Sequence, residues 1–413
     1  MYTKTYSSYL EPPNSKPENL IRLLRTWADI NTGSRNIEGL EKFQLLIEEA
    51  FQPFPATVKT IPLAPQEILR PKGRQHFPLG KAVSIIKQTD ASMNVLLSIH
   101  YDTVYAVDHP FRKCITTDRD NLNGPGVADA KGGLIVLLEA LKLFELSPWS
   151  DCLGWEALIV PDEEIGSIGS IPLLLEAARR NDLALVFEPA LPDGSLVGSR
   201  NGSSVYSAIV RGRAAHAGRD SEKGRNAIHA MANLIVQMQE AFALHSGITL
   251  NVGEVVGGGA VNVVPDLAYL RFNIRMRNAE DQAIVNKVIE DLTSGLNRME
   301  GFEIEINVDS SRPPKVLDQE TIKVLNHFAG CGQNLGIQIQ WRHSGGASDA
   351  NIIGSVGIPT VDGLGVRGGG LHSPDEYVLL DSLSERVKLT ALFLMKLASG
   401  DFNQSLNQSL NVR

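Results

Sequence analysis

Cysteine is nearly missing: the 413 residues hold three, Cys114, Cys152 and Cys331, none in CxxC spacing. An odd, scattered set excludes a disulfide framework and suits reduced thiols, so a cytoplasmic protein is expected. Positive charge is also short, with 39 Lys and Arg against 47 Asp and Glu for a formal −8. That balance argues against a nucleic-acid partner, whose binding depends on phosphate neutralisation. No stretch reaches the ~18 consecutive apolar residues of a membrane span. The opening MYTKTYSSYLEPPNSK has no apolar core of a secretory signal. What remains, 43% hydrophobic and 21% charged, is ordinary globular composition. At roughly 150 residues per domain the length suggests two or three domains, with cores large enough to need no staples.

PENLIRLLRTWADI and IEGLEKFQLLIEEAF carry apolar residues at helical spacing. A regular pattern then begins. MNVLLSI (93–99) is an apolar run of strand length ending at His100, and GGLIVLLEALKLF (132–144) is a buried helix opening just after Asp129. WEALIVP (155–161) is a strand ending at Asp162, Glu163 and Glu164, followed by the helix IPLLLEAARR (171–180) and the strand LALVFEP (183–189), which ends at Glu188. Strands alternating with helices predict an α/β domain with a mostly parallel sheet covered on both faces. Chemistry in such sheets lies beyond the carboxyl ends of the strands, where these acids and His100 fall.

Near residue 200 the texture changes. SSVYSAIVRG, the helix 224–242, ITLNVGEVV, LAYLRFNIRMR, the helix EDQAIVNKVIEDLTSGLNRM and FEIEINV follow in turn. Strand-helix-strand-strand-helix-strand is the ferredoxin-like α+β order. The expected division is 1–201, an inserted 202–314, and 315–413, with Arg312-Pro313-Pro314 as hinge. After it come the helix VLNHFAGCGQNLG, the strand and loop VGIPTVDGLG, and the last helix VKLTALFLMKLA; the tail NQSLNQSLN is expected to fray.

Five potential metal ligands appear in order: His100, Asp129, Glu164, Glu188 and His372. Two imidazoles and three carboxylates suit two borderline cations sharing one carboxylate, by default zinc, with cobalt or manganese as alternatives. Paired cations acidify a bridging water and polarise a carbonyl, but the water's proton still needs a base. Glu163, beside Glu164, is the candidate. Asp102, in the HYD of His100, is the candidate partner for the imidazole's second nitrogen. A single strand-end acid is usually a cap or a solvated charge. HxD, NGPGVADAKGG, DEEIGS, FEP and GGLHSPDEY in topological order overturn that reading jointly. His76, His109, His229, His245 and His327 have no matching carboxylate spacing.

These motifs resemble the di-zinc metallopeptidase family of carboxypeptidase G, acetylornithine deacetylase, succinyl-diaminopimelate desuccinylase and aminoacylase. The likeness runs from INTGSRNIEG to the last helix. GRAAHAG, GAVNVVPDLAYLRFNIR, SSRPP, SGGASDAN and GGLHSPDEYV point to the carboxypeptidase G type. The resemblance implies a zinc-exopeptidase domain with an inserted lid and dimerisation domain, and a homodimer. It makes Asp129 the bridging ligand, preceding a cis peptide to Ala130, with His372 and Glu164 on one metal and His100 and Glu188 on the other. It makes Glu163 the general base, His216 a donor to the oxyanion in the partner's site, and Asn262 and Arg275 the contacts for the substrate carbonyl and carboxylate. Arg312 is a weaker substrate contact, and Gly345 and Gly346 let substrate approach the backbone. The implied activity is hydrolysis of the amide bond of N-acylated amino acids or small peptides. A deacylase or dipeptidase of the same mechanism is the alternative, and a catalytically inactive binding relative the remote one.

Two glycine patterns belong elsewhere. Gly363, Gly365 and Gly368 spell GxGxxG but open no helix, and glycines 257–259 lack the Lys-Ser/Thr of a phosphate loop. Asn201, in NGS, matters only to a secreted protein.

Overall fold

The computed structural model describes residues 4–11 and 16–402, so the tail repeat lies outside the described residues. Its central sheet contains Thr57–Pro62 (β1), Lys81–Lys87 (β2), Asn94–His100 (β3), Gly154–Val160 (β4), Leu183–Val186 (β5) and the short Thr360–Val361. The order is β1-β2-β4-β3-β5 and then 360–361. β4, β3, β5 and 360–361 run parallel, while β2 pairs antiparallel with both β1 and β4. The mostly parallel α/β sheet is thus present.

Alternation of side chains sets the two faces. Val95, Leu97 and Ile99 of β3 and Trp155, Ala157 and Ile159 of β4 enter one core, shared with helices Pro17–Ala28, Ile37–Phe51, Lys131–Glu145 and Leu380–Ser399. Leu96, Leu158 and Val160 enter a second core under helices Ile171–Arg179 and Asp349–Gly354. Burial on both faces is why these strands read as unbroken apolar runs. Each such side chain contributes about 1.5–3 kcal/mol, and Leu97→Ala would cost roughly 2–5 kcal/mol. The helix 131–145 starts hard against the sheet. A Cβ at Gly133 would stand 2.0 Å from the Phe187 carbonyl oxygen, so only glycine permits the approach.

Between residues 202 and 312 the chain builds a second sheet from Gly202–Arg211 (β6), Ile248–Gly257 (β7), Leu267–Met276 (β8) and Glu303–Arg312 (β9), all antiparallel, in the order β7-β8-β6-β9. Helices Ala227–Ala243 and Ala279–Asn297 cover one face, packing Met231, Leu234 and Met238 on Ala208, Leu270, Phe272 and Ile274 in a separate core. Asn226 caps the first helix by accepting from His229 N, and Asn278 and Asp281 form a reciprocal capping box on the second. The two crossings to the larger sheet pair with each other, Arg200 N to Lys315 O and Lys315 N to Arg200 O, both at 3.0 Å.

Sequence reading missed β1, β2 and the hairpin Gln66–Arg70/Gly73–Phe77. β1 and the second hairpin strand are largely solvent-accessible and carry mixed side chains, so they lack the apolar signal of the buried strands.

Candidate metal centre

Register places the acids. In the parallel pairs His100 lies opposite Val160, and Ser98 opposite Val186. The segments that continue β4 and β5, carrying Glu163, Glu164 and Glu188, therefore leave the sheet at the same edge as His100. Asp129 comes from the loop before the helix 131–145, and its peptide bond to Ala130 is cis. His372 comes from a late loop and has φ 62°, a left-handed conformation unusual for a side-chain-bearing residue. Gly365 presses that region onto β5: its N–H donates to the Glu188 carbonyl at 2.9 Å, and a Cβ there would meet the Phe187 carbonyl at 2.4 Å.

Two triads result, His100/Asp129/Glu188 and Asp129/Glu164/His372, the ligand atoms of each lying within 4.8 Å of one another. Asp129 belongs to both. Its Oδ1 is 3.0 Å from His100 Nε2 and its Oδ2 is 3.2 Å from His372 Nε2. Glu188 Oε1 stands 3.8 Å from His100 Nε2, and Glu164 Oε2 stands 3.2 Å from His372 Nε2. His100 Nδ1 faces Asp102 through the backbone carbonyl at 3.0 Å and carboxylate Oδ1 at 3.3 Å. The same buried carboxylate accepts from Glu163 N at 3.1 Å, Glu164 N at 3.2 Å and Ser34 Oγ at 2.7 Å. Asp102 thus fixes the imidazole and the acidic turn together.

Glu376 is the residue that sequence reading missed. Its carboxylate accepts from the N–H groups of Gly126, Ala128 and Asp129, each at 3.0 Å, and from Tyr105 Oη at 2.7 Å. It holds the loop that presents Asp129. One acid in GGLHSPDEYV beside a more obvious histidine carries no signal of that task.

Crowding and burial of the acids set the electrostatics of the two triads. Burial and the charge of Asp129 raise Glu164 to about 8. Burial also lifts Glu188 well above the usual carboxylate range, partly offset by His100. Burial works the same way on Asp129, but hydrogen bonds from His100 and His372 outweigh it and leave that carboxyl low. Hydrogen bonds to Asp129 and Glu164 raise His372 to about 11. Carboxylates this crowded hold protons unless positive charge arrives. Imidazole and carboxylate donors in two groups of three, one acid common to both, fit a pair of divalent ions.

The remaining expected residues fall in two places. Arg275 Nη1 donates to the Gly345 carbonyl at 3.2 Å. A Cβ at Gly345 meets no atom within 4 Å, and at Gly346 none nearer than 3.7 Å, so the chain itself demands no glycine at either position. Arg312 Nη2 lies 2.9 Å from Glu163 Oε1 and donates to the Glu163 carbonyl at 2.6 Å and Ser167 Oγ at 2.7 Å. Besides these protein partners, Arg312 also borders an open cavity that Glu164 helps to line. His216 and Asn262 are exposed in adjoining loops of the 202–312 segment, joined through Ala217 N to Asn262 O at 2.9 Å. Neither belongs to the triads.

A profile of peptidase family M20/M25/M40 matches residues 96–396, a span holding every donor of both triads. This chain belongs to that family. As a member it is a metal-dependent hydrolase of the peptidase or deacylase type. Carboxypeptidase G2 of Pseudomonas sp. (strain RS-16) is 29% identical over 74% of each chain. A putative succinyl-diaminopimelate desuccinylase of Mycobacterium tuberculosis is 30% identical over 76% of this chain and 86% of its own. A dinuclear metal-binding M20 peptidase of Bacillus subtilis superposes with a TM-score of 0.62 at 17% identity, covering 93% of this chain and 98% of that one. Among the described residues of this M20 chain no helix is long and apolar enough to cross a membrane.

Proposed function

We propose that this M20 hydrolase cleaves the C–N amide bond of N-acylated amino acids or small peptides, as a glutamate-carboxypeptidase-like exopeptidase. The observation that carries the reading is Asp129 standing between His100 and His372, one carboxylate oxygen toward each. His100, Asp129 and Glu188 would hold one cation and Asp129, Glu164 and His372 the other, zinc being the default for this donor set. Such a pair supplies Lewis acidity, acidifying a water and polarising the amide carbonyl.

The chain's own groups do the rest. Glu163 takes the proton from the attacking water and passes it to the leaving nitrogen, and Arg312 keeps it in position. Arg275, next to Gly345, receives the substrate carboxylate through its planar fork. The segment 202–314 acts as lid and dimer-forming domain; its exposed His216 serves the site of a second copy by donating to the oxyanion, and Asn262 contacts the substrate carbonyl. Support for the homodimer is that β7 is an edge strand with Val255 and Val256 exposed, an arrangement proteins normally cover or blunt.

A deacylase or dipeptidase is the second reading, favoured by the likeness to the desuccinylase at comparable identity. Pocket shape decides between them. The inactive-relative reading is disfavoured because both triads and Glu163 are in place. The test is a panel of N-acyl-glutamate, folyl-glutamate, acetylornithine and simple dipeptides, with chelated protein reloaded with zinc, cobalt or manganese. Turnover that disappears with chelator and returns with metal is expected; no cleavage of any amide by the reloaded protein refutes the reading.

A further inference from the structure

A cavity of about 430 Å³ lies where the 202–312 sheet meets the hairpin 66–77, and Glu164 forms part of its wall. Four guanidinium groups line it, Arg35, Arg70, Arg271 and Arg312, against the two carboxylates Glu164 and Asp309. Three of the four have an acid partner: Glu163 at 2.9 Å from Arg312, Asp309 at 3.1 Å from Arg271, and Glu254 at 3.2 Å from Arg70.

Arg35 differs. Among the described residues no carboxylate lies within ion-pair reach of it; its Nη2 donates to Gln66 Oε1 and its guanidinium sits 4.8 Å over the Phe77 ring. Partial burial and the neighbouring Arg271 and Arg70 charges lower its pKa, with Asp162 and Asp102 offsetting from farther away. Those acids already accept other donors, Gly169 N and Ser170 N at Asp162, and Ser34 Oγ and two backbone amides at Asp102. Four guanidinium groups therefore converge on an open cavity, and of the four only Arg35, a solvent-accessible fork, has no carboxylate partner among the described residues.

We propose that this cavity is a second carboxylate subsite with Arg35 as its principal donor, so that the preferred substrate is an amide acidic at both ends. The proposal rests on the amidohydrolase reading for the first carboxylate, at Arg275. Arg271 and Arg275 lie on the same face of β8, since side chains alternate along a strand, and four residues separate their Cα atoms by about 13 Å. The metal centre borders the cavity through Glu164, so a substrate anchored at both ends presents its central amide there.

The experiment has a binding arm and a kinetic arm. Calorimetric titration of the zinc-loaded protein with glutarate is expected to give binding that Arg35→Gln weakens by about tenfold or more, with partial recovery in Arg35→Lys. Absence of binding, or equal affinity in Arg35→Gln, overturns the subsite. In the kinetic arm, the kcat/KM ratio for an N-glutaryl over an N-pentanoyl amino acid is expected to fall by about tenfold in Arg35→Gln; an unchanged ratio overturns it. Should neither of these amides nor any member of the panel above be cleaved, the hydrolase reading falls while the titration still decides the subsite. Should Arg35→Gln fail to fold by circular dichroism, Arg70→Gln on the outer hairpin takes its place, with weaker glutarate binding supporting the proposal and unaltered binding refuting it.

Discussion

Arg312 grips Glu163 at both ends, its Nη2 lying 2.9 Å from carboxylate Oε1 and 2.6 Å from the carbonyl oxygen of the same residue. Arg312 is the last residue of β9, so the 202–312 sheet and the acidic turn beyond the carboxyl end of β4 are tied by one side chain. Asp349, 3.6 Å away, adds a second buried acid to the pair.

Glu163→Gln should lower kcat by about 10²–10⁴-fold while metal content stays at the wild-type level. Elemental analysis beside the kinetics checks this, since loss of metal would make Glu163 a ligand. Arg312→Ala leaves two buried carboxylates without their cation and should cost roughly 3–5 kcal/mol of stability, measured by denaturant unfolding. Arg312→Lys should recover stability better than kcat, because an ammonium cannot reproduce the fork.

Glu376→Ala strips the acceptor from three amides beside Asp129. Metal affinity should fall about 10–100-fold, read by competition with a chelator. Thermal stability of the metal-free protein should fall as well, since each buried donor left unmet costs about 1–3 kcal/mol. Unchanged affinity would mean that the loop holds its shape without Glu376.

His216→Ala should abolish most turnover with secondary structure intact. Mixing it with Glu163→Ala should return activity, because a mixed dimer contains one site with both groups. No recovery after subunit exchange, verified by mass spectrometry, would place His216 outside a shared site.

Lys315 supplies a pH test away from the metal ligands. It is buried at the paired crossings and donates to the Gly198 carbonyl at 2.7 Å; burial, with Arg200 adding and Asp362 opposing, lowers it from 10.5 to about 8. Between those values the unfolded chain binds more protons than the folded one, so this residue makes stability rise with pH from about 8 to 10.5. Lys315→Met should flatten that part of the profile relative to wild type. An identical pH slope in both proteins would show that Lys315 titrates normally.

The buried parallel strands and the acids at their ends were legible because burial on both faces writes an apolar run and the following polar residue marks its end. His100 and Asp102 were legible as a pair because two residues separate them. Glu376 and the Arg312–Glu163 pair were not, since each joins elements distant in the chain. The hairpin 66–77, with its Gln66 and Phe77 under Arg35, left no periodic trace because one of its strands is solvated.

By itself the order of residues determined the alternation of buried strands and helices, the ferredoxin-like run between 202 and 312, and the types of donor at each strand end. Those properties are local, since hydrophobic period and turn chemistry act over a few residues. Only the tertiary structure decided that His100 and His372 approach opposite oxygens of Asp129, and that four arginines from four separate segments meet around one cavity. Sheet register and long-range packing bring such groups together, and neither leaves a mark in the spacing of residues along the chain.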